Sequence, residues 1–332
     1  MNVELPICLL DWINNDKIHW YGLSKNPSEG AMQLLEKNQD KIDWYSLSGN
    51  TSKRAMQLLE KNQDKISWWM LSANPSAMHL LKKNQDKIYW NGLSGNRSAM
   101  HLLEKNQDKI NWCMLSKNPS AMHLLENNPY KINWENLSMN TSEGAIQLLD
   151  KNPDKIEWSY LSSNPSEGAI KLLEKNLYKI DWFYLSFNTL ESAIRLLEKN
   201  QDKIDWWFLS RNPSEGAMRL LEKNPHKIDW YYLSRNSSEC PMKLLEKNQD
   251  KIDWVSLSKN TSKRAMQLLE KNQDKISWWM LSQNPYIFTY NYKKMKQNCM
   301  LFKEDLIKNR FHPSNIPKFK NWRVNGFESN VD

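Results

Sequence analysis

Glycine and cysteine are scarce in this chain, which has nine glycines and four cysteines among 332 residues. The glycines are scattered, so no glycine-rich loop is available to hold a phosphate group. The cysteines lie far apart and form no Cys-x-x-Cys pair, which argues against a disulfide framework and against a zinc site. We therefore expect no metal ion and no cofactor.

Long apolar runs are also missing. No stretch approaches the roughly 20 apolar residues that a helix needs to cross a bilayer. The short apolar run at residues 5–10 follows Glu4 and has no basic segment before it, unlike a secretion signal. We expect an intracellular protein that is neither secreted nor membrane-spanning.

An even distribution of positive charge is missing too, although the net charge is +8. Residues 283–332 contain nine Lys or Arg and four Asp or Glu, so this segment carries +5 and the other 282 residues carry +3. A near-neutral array lacks the basic stripe that phosphate contacts require. We therefore do not expect a nucleic-acid partner.

The chain is dominated instead by one motif, Ile-x-Trp-x-x-Leu-Ser-x-Asn. It occurs twelve times, first from Ile18 to Asn26 and last from Ile276 to Asn284, and its tryptophans are 22 or 24 residues apart. A fixed period of this length is typical of solenoids, in which each unit buries its apolar face against its neighbours. We number the repeats 1 to 12 by these tryptophans.

Each unit, such as residues 26–50, predicts two short helices. An apolar stripe at residues 31–35 follows an Asn-Pro pair that is suited to start the first helix. Position 43 is Asp, Ser or Asn in nine of the twelve copies, as expected for the N-cap of the second helix. Ile42 and Leu47 flank this cap as a hydrophobic staple.

These helices predict an all-α, elongated solenoid of about twelve two-helix repeats. We expect an N-terminal cap at residues 1–17, the repeats at 18–284, and a basic C-terminal cap at 285–332. A leucine-rich-repeat-like α/β solenoid is the alternative, because such repeats have a similar length and an asparagine column. Their strands need apolar residues two apart, whereas Trp and Leu are three apart here, as on one helix face.

The motif from Ile156 to Asn176 resembles the short tandem repeats that large nucleocytoplasmic DNA viruses, or giant viruses, encode in many copies. Residues 301–319 resemble the terminal segment of the same proteins. The resemblance implies a giant-virus protein, located in the infected host cytoplasm or in the virus particle, and it implies no particular mechanism. Residues 51–72 and 261–282 are identical, which indicates growth of the array by duplication of units.

The positions that vary between copies are the candidates for function. Two of them follow each motif tryptophan, and around repeats 7 to 10 they are strongly aromatic, as is typical of protein interfaces. The alternative is that these side chains fill gaps between repeats. The candidate partner-binding residues at these positions are Trp69, Met70, Tyr160, Phe183, Tyr184, Trp207, Phe208, Tyr231 and Tyr232.

Another varying position, in the middle of the first helix of each unit, is always polar. It carries Lys171, Arg195, Arg219 and Lys243 in four consecutive repeats, a row that would suit an acidic partner or would be a solvated face. Histidines occupy it in three other repeats, but helices about 8–10 Å apart are too distant to share a zinc ion with bonds of about 2.0–2.1 Å. We predict no metal site there.

We expect a non-enzymatic scaffold for protein–protein interaction, because a solenoid exposes a long surface and this one varies mainly at surface positions. No nucleophile has a fitting base, and link carboxylates such as Asp40 sit beside Lys as turn residues. Two other hypotheses are a structural component of the virus particle and modular binding of single-stranded RNA by paired aromatic and polar positions. The identity of the partner is left open.

Overall fold

The computed structural model describes residues 6–305, 307–308, 312 and 314–315. Throughout the repeats, helices follow one another in a regular order, and the prediction of an all-α solenoid is confirmed. The leucine-rich-repeat alternative is excluded, because no strand recurs from repeat to repeat within the described residues. Much of the terminal segment at residues 301–319, and the end of the predicted C-terminal cap, lie outside them.

Each repeat contributes one short helix that begins at its motif tryptophan. The preceding residue is the N-cap, and in seven described copies its side-chain oxygen accepts a hydrogen bond from the N–H three residues on, as Asp43 does from Ser46 at 2.8 Å. Ile42 and Leu47 are both buried, as the staple predicts. The short helices are Trp20–Lys25, Trp44–Ser48, Trp68–Ser72, Trp90–Ser94, Trp112–Ser116, Trp134–Ser138, Trp158–Ser163, Trp182–Leu185, Trp206–Arg211, Trp230–Arg235, Trp254–Ser258 and Trp278–Leu281.

A second helix, which we call the long helix because it has nine residues in the 24-residue copies, follows in each of repeats 1 to 11. In most 24-residue copies its N-cap is a serine, such as Ser28, whose hydroxyl accepts a hydrogen bond from Ala31 N. The predicted start at Asn26 is therefore two residues too early, whereas in the 22-residue copies a 3₁₀ turn precedes a shorter helix. The long helices are Glu29–Lys37, Lys53–Lys61, Met78–Lys83, Met100–Lys105, Met122–Glu126, Glu143–Lys151, Glu167–Lys175, Glu191–Lys199, Glu215–Lys223, Glu239–Lys247 and Lys263–Lys271.

A single 3₁₀ turn precedes every short helix, and four more occur before the long helices of the 22-residue copies and after the last repeat. Those before the short helices are Asn15–Lys17, Gln39–Lys41, Gln63–Lys65, Gln85–Lys87, Gln107–Lys109, Pro129–Lys131, Pro153–Lys155, Leu177–Lys179, Gln201–Lys203, Pro225–Lys227, Gln249–Lys251 and Gln273–Lys275. The others are Pro75–Ala77, Arg97–Ala99, Pro119–Ala121 and Pro285–Ile287. After the last of these come a short strand and the helix Tyr292–Asp305.

The motif Ser and Asn join neighbouring repeats. The amide of Asn50 donates hydrogen bonds of 3.1 Å to the main-chain oxygens of Ser24 and Asn26 in the repeat before. The hydroxyl of Ser24 accepts a bond of 3.0 Å from Asp43 N in the repeat after. The motif Asn and Ser thus hydrogen-bond to the adjacent repeats, which explains why both residue types are fixed. Beside this ladder, leucines such as Leu47 are fully buried and form one continuous core.

The first and last repeats contact each other as any two neighbours do, so the solenoid is closed into a ring. The amide of Asn26 donates to Asn284 O at 3.0 Å, and His19 N donates to the hydroxyl of Ser282 at 2.8 Å. With these bonds, the Asn and Ser ladders run unbroken through all twelve described repeats. The elongated shape expected from sequence is therefore not what the structure has, and we call the junction of repeats 12 and 1 the seam.

At the seam, a two-stranded sheet takes the place of a twelfth long helix. Strand β1 (Ile7–Leu9) pairs antiparallel with β2 (Phe288–Tyr290). The sheet packs on the first long helix, where a Cβ atom at Gly30 would collide with Phe288 and Ile7. Residues 7–9 and 288–290, which belong to the segments predicted to cap two distant ends, thus lie side by side.

The short helices form the inner wall of the ring. They approach one another more closely than the long helices do, as expected of the inner of two concentric layers. Open grooves separate neighbouring long helices, such as one of about 320 Å³ lined by Gln147 and Lys171. With axes about 8–10 Å apart and helices roughly 10–12 Å thick, twelve short helices surround an opening of roughly 20–28 Å. No helix of the described residues is long and apolar enough to cross a membrane.

Candidate functional site

Three columns of varying residues line the inner wall, each with one member per repeat. The first and second columns are the two positions after the motif tryptophan, and the third is the fifth position after it. First and third positions are four residues apart, so they share one face of the short helix. The third column consists of Lys25, Gly49, Ala73, Gly95, Lys117, Met139, Ser163, Phe187, Arg211, Arg235, Lys259 and Gln283.

The first column points into the opening. Its stacked pairs Tyr21–Trp279, Tyr45–Trp69 and Phe183–Trp207 have ring centroids 6.1, 6.2 and 6.4 Å apart. These separations are shorter than the usual distance of about 8–10 Å between packed helices. Side chains converge in this way when they point toward the centre of a ring.

Seven of the predicted residues form one continuous surface, the aromatic arc. It consists of Tyr160, Phe183, Tyr184, Trp207, Phe208, Tyr231 and Tyr232. The ring centroids of Phe183 and Phe208 are 4.1 Å apart, and those of Trp207 and Tyr232 are 4.5 Å apart. Phe183, Trp207 and Tyr231 nevertheless stay 43%, 41% and 47% exposed. The arc therefore combines a rigid edge-to-face array with a large accessible apolar surface.

The second column is mostly half-buried and packs against the third column of the preceding repeat. Phe208, for example, meets Phe187 edge to face at 6.1 Å. A Cβ atom at Gly49 would collide with the end of the Met70 side chain. The second column thus fills space between repeats, whereas the first column is available to a partner.

Trp69 and Met70 lie in a different region, directly across the ring from Trp207. There the third column has the small residues Gly49 and Ala73, which leave an open cavity of about 490 Å³. Trp69, Met70 and Tyr89 contribute to its apolar wall. The structure therefore divides the predicted aromatic residues between an arc and a separate cavity.

Tyr160, at one end of the aromatic arc, is linked to the preceding repeat. A hydrogen bond to the Glu135 side chain, together with the charge of that carboxylate, raises the pKa of Tyr160 above its ordinary value. The phenol is therefore kept in its neutral, hydrogen-bonded form.

The predicted polar row, Lys171, Arg195, Arg219 and Lys243, is exposed on the long helices and so lies on the outer wall. Arg219 pairs with Glu191 at 2.7 Å. Among the histidines at this position, His123 approaches Glu104 at 2.8 Å. The structure does not bring the polar row to the aromatic arc. Within the described residues, no group of three or more His, Cys, Asp or Glu is placed to hold a metal ion.

The motif tryptophans themselves are structural. In ten described repeats a Lys from the following link lies over the indole ring with its amino group 4.3–5.1 Å from the ring centroid, as Lys41 does over Trp20. Lys17 over Trp278 repeats this contact across the seam at 5.1 Å. These cation–π contacts give the link lysines a role between repeats.

Sequence reasoning missed the third column, which carries Arg211, Arg235, Lys259 and Lys25 close to the aromatic arc and the seam. Its four-residue spacing from the first column was the available signal. Comparison of the chain with protein-family models, with curated proteins and with solved structures finds no match.

Proposed function

We propose that this chain is a non-enzymatic, ring-shaped scaffold that binds a protein partner on its inner wall. The observation that carries the proposal is the aromatic arc, in which Phe183, Trp207 and Tyr231 stay exposed on three consecutive repeats. Aromatic side chains of this size each bury roughly 150–250 Å² when they are covered. Trp and Tyr are also enriched among the residues that dominate binding energy at interfaces.

The shape of the ring favours an extended or helical element of the partner. A helix is roughly 10–12 Å thick, so a single helix or an extended segment fits an opening of roughly 20–28 Å. A rigid wall loses little conformational entropy on binding, because its rings already pack against one another. On the resemblance of the repeat motif, we propose a giant-virus origin and a role in the infected host cytoplasm or the virus particle.

The test compares two double variants as bait in infected cells. Trp207→Ala with Tyr231→Ala removes two exposed rings of the arc, and Arg195→Ala with Arg219→Ala removes two side chains of the outer wall. We expect the first variant to lose partners that the unaltered chain and the second variant both recover, identified by mass spectrometry. Circular dichroism checks that both variants keep their helicity. Equal recovery by both variants would overturn the proposal.

A further inference from the structure

Four cations of the third column are grouped around the seam. Arg211, Arg235 and Lys259 belong to repeats 9, 10 and 11, and Lys25 belongs to repeat 1. Repeat 12 contributes the neutral Gln283 between them. We name these four cations the cationic arc.

Closure of the ring creates this group. Lys25 and Lys259 stand near opposite ends of the array in sequence, yet the charge of Lys25 acts on Lys259. Burial, followed by the charges of Arg235 and Lys25, lowers the pKa of the Lys259 amino group. Like charges are therefore held together here at an electrostatic cost, which an anionic ligand would relieve.

The carboxylates around the cationic arc are engaged elsewhere. None of the four cations forms an ion pair with a carboxylate of the described residues. Arg211, Arg235 and Lys259 lie at the C-terminal ends of three short helices. The carboxylates that cap the N-terminal ends of the same helices accept hydrogen bonds from main-chain N–H groups, and they belong to Asp205, Asp229 and Asp253. Glu29 and Glu239, at the starts of long helices, contact Arg54 and Arg264. The positive charge at the inner wall is thus left without a counter-charge.

An aromatic row runs beside the cations. Tyr21, Trp207 and Tyr231 stand four residues before Lys25, Arg211 and Arg235 on the same helix faces. The Lys25 amino group lies 4.1 Å from the centroid of the Tyr21 ring. The wall therefore offers two parallel rows, one cationic and one aromatic.

We propose that the cationic arc binds an acidic segment of a partner protein in extended conformation, with Asp or Glu at alternate residues. Alternate side chains of an extended chain point the same way and are roughly 6.4–6.8 Å apart. Where first-column rings of neighbouring repeats stack, their centroids are 6.1–6.4 Å apart, which is close to this spacing, so we assign one acidic residue to each repeat along the wall. This inference rests on the proposed role as a protein scaffold and names the chemistry of the partner.

The charge pattern favours an acidic peptide over a nucleic-acid strand. Beyond Lys25 the third column is neutral and small in repeats 2 to 4, with Gly49, Ala73 and Gly95, and the next cation, Lys117, stands alone in repeat 5. A nucleic-acid strand has a phosphate at every nucleotide, so after a few nucleotides its phosphates would extend beyond the cationic arc. A short acidic segment has few negative charges, and the four cations are enough to pair with them. Counterion release at so few contacts supplies little affinity for nucleic acid.

The test measures fluorescence anisotropy at low ionic strength with a labelled peptide of alternating Glu and Leu, about nine residues long to span four steps. A peptide with Gln in place of Glu and a labelled oligouridylate are the comparison probes. Arg235→Gln with Lys259→Gln, the arc variant, removes two of the four positive charges of the cationic arc. Arg195→Gln with Arg219→Gln makes the same change of charge on the outer wall and serves as the matched control.

We expect the Glu peptide to bind the unaltered chain and the control variant equally, and the arc variant at least roughly tenfold more weakly. Equal binding to both variants, no preference for Glu over Gln, or no binding at all would overturn the inference. Arc-dependent binding of oligouridylate without binding of the Glu peptide would also overturn it, in favour of nucleic acid. If the arc variant still recovers the partner in infected cells while the Trp207→Ala, Tyr231→Ala variant does not, this inference fails and the proposed function stands.

Discussion

The side-chain amide of Asn26 donates a hydrogen bond of 3.0 Å to the main-chain carbonyl oxygen of Asn284, although 258 residues separate them in sequence. The equivalent bond between successive repeats, from Asn50 to Asn26, is 3.1 Å long. The seam is therefore built like any other interface between repeats. Each of the twelve repeats therefore has two neighbours.

Breaking the asparagine ladder at the seam should lower the free energy of unfolding as much as breaking it at another interface between repeats. Asn26→Ala and Asn188→Ala each leave buried carbonyl oxygens without their donors, so we expect each to lower the free energy of unfolding by about 1–3 kcal/mol. Urea denaturation measures both. Asn127→Ala, at an exposed position, is the control and should change little. A much smaller effect at Asn26 than at Asn188 would mean that the ends of the array are open.

A disulfide should form across the seam after a single substitution. Cys8 lies directly opposite Thr289 in the β1–β2 pair, where cross-strand Cβ atoms are about 4.5–5.5 Å apart. We expect Thr289→Cys, after mild oxidation, to lose the Cys8 thiol in a titration and to migrate as a closed chain on a non-reducing gel. Thr261→Cys is the control, since it does not face Cys8. A Cys8 thiol that stays fully titratable in the first variant would contradict the pairing.

Two arginines in identical repeats should contribute differently to stability. Arg54 is 17% exposed and makes two bonds of 2.9 Å to Glu36, whereas Arg264 is 38% exposed and is 3.6 and 3.8 Å from Glu239 and Glu246. We expect Arg54→Met to lower the free energy of unfolding by about 1.5–3 kcal/mol and Arg264→Met by about 0–1 kcal/mol. The local sequences at residues 51–72 and 261–282 are the same, so equal losses would show that the surroundings of Arg54 are unimportant.

The contact between Tyr160 and Glu135 should be visible in a titration. Because Glu135 raises the pKa of Tyr160, the neutral phenol stabilises the folded chain below its ordinary pKa of about 10, and this contribution is lost as pH rises through the folded-state value. We expect Glu135→Gln to lower the Tyr160 pKa, followed by NMR of the ring carbon with Tyr160→Phe for assignment. Glu143→Gln, on the next long helix, should leave it unchanged. If the Tyr160 pKa is the same in Glu135→Gln as in the unaltered chain, the contact between Tyr160 and Glu135 is ruled out.

The sequence predicts local features well because they depend on neighbouring residues. The short-helix cap at Asp43 and the staple of Ile42 and Leu47 follow from spacing alone. Closure could not be predicted in this way, since it depends on small rotations between repeats that add up around the ring. The alternation of Phe288 and Tyr290 is compatible with a strand, but nothing in the motif identifies Ile7 and Leu9 as its partners.

The candidate site was predictable in part for the same reason. Aromatic residues at the first column stood out, and the structure keeps Trp207 and Tyr231 exposed on one wall. The outer row from Lys171 to Lys243 could not be separated from that wall without knowing which helix layer is inside. The grouping of Lys25 with Lys259 was likewise hidden, because sequence distance gives no hint that repeats 1 and 11 are near each other.

The identical copies at residues 51–72 and 261–282 acquire a geometric constraint from closure. An open array accepts another unit at its end, whereas twelve repeats in a ring each supply about 30° of a full turn. A thirteenth would reduce every angle to about 28° and add one step to the circumference, so all interfaces would have to adjust together. The number of repeats therefore sets the diameter of the opening, and duplication of a unit would change the width of the partner element that the ring can surround.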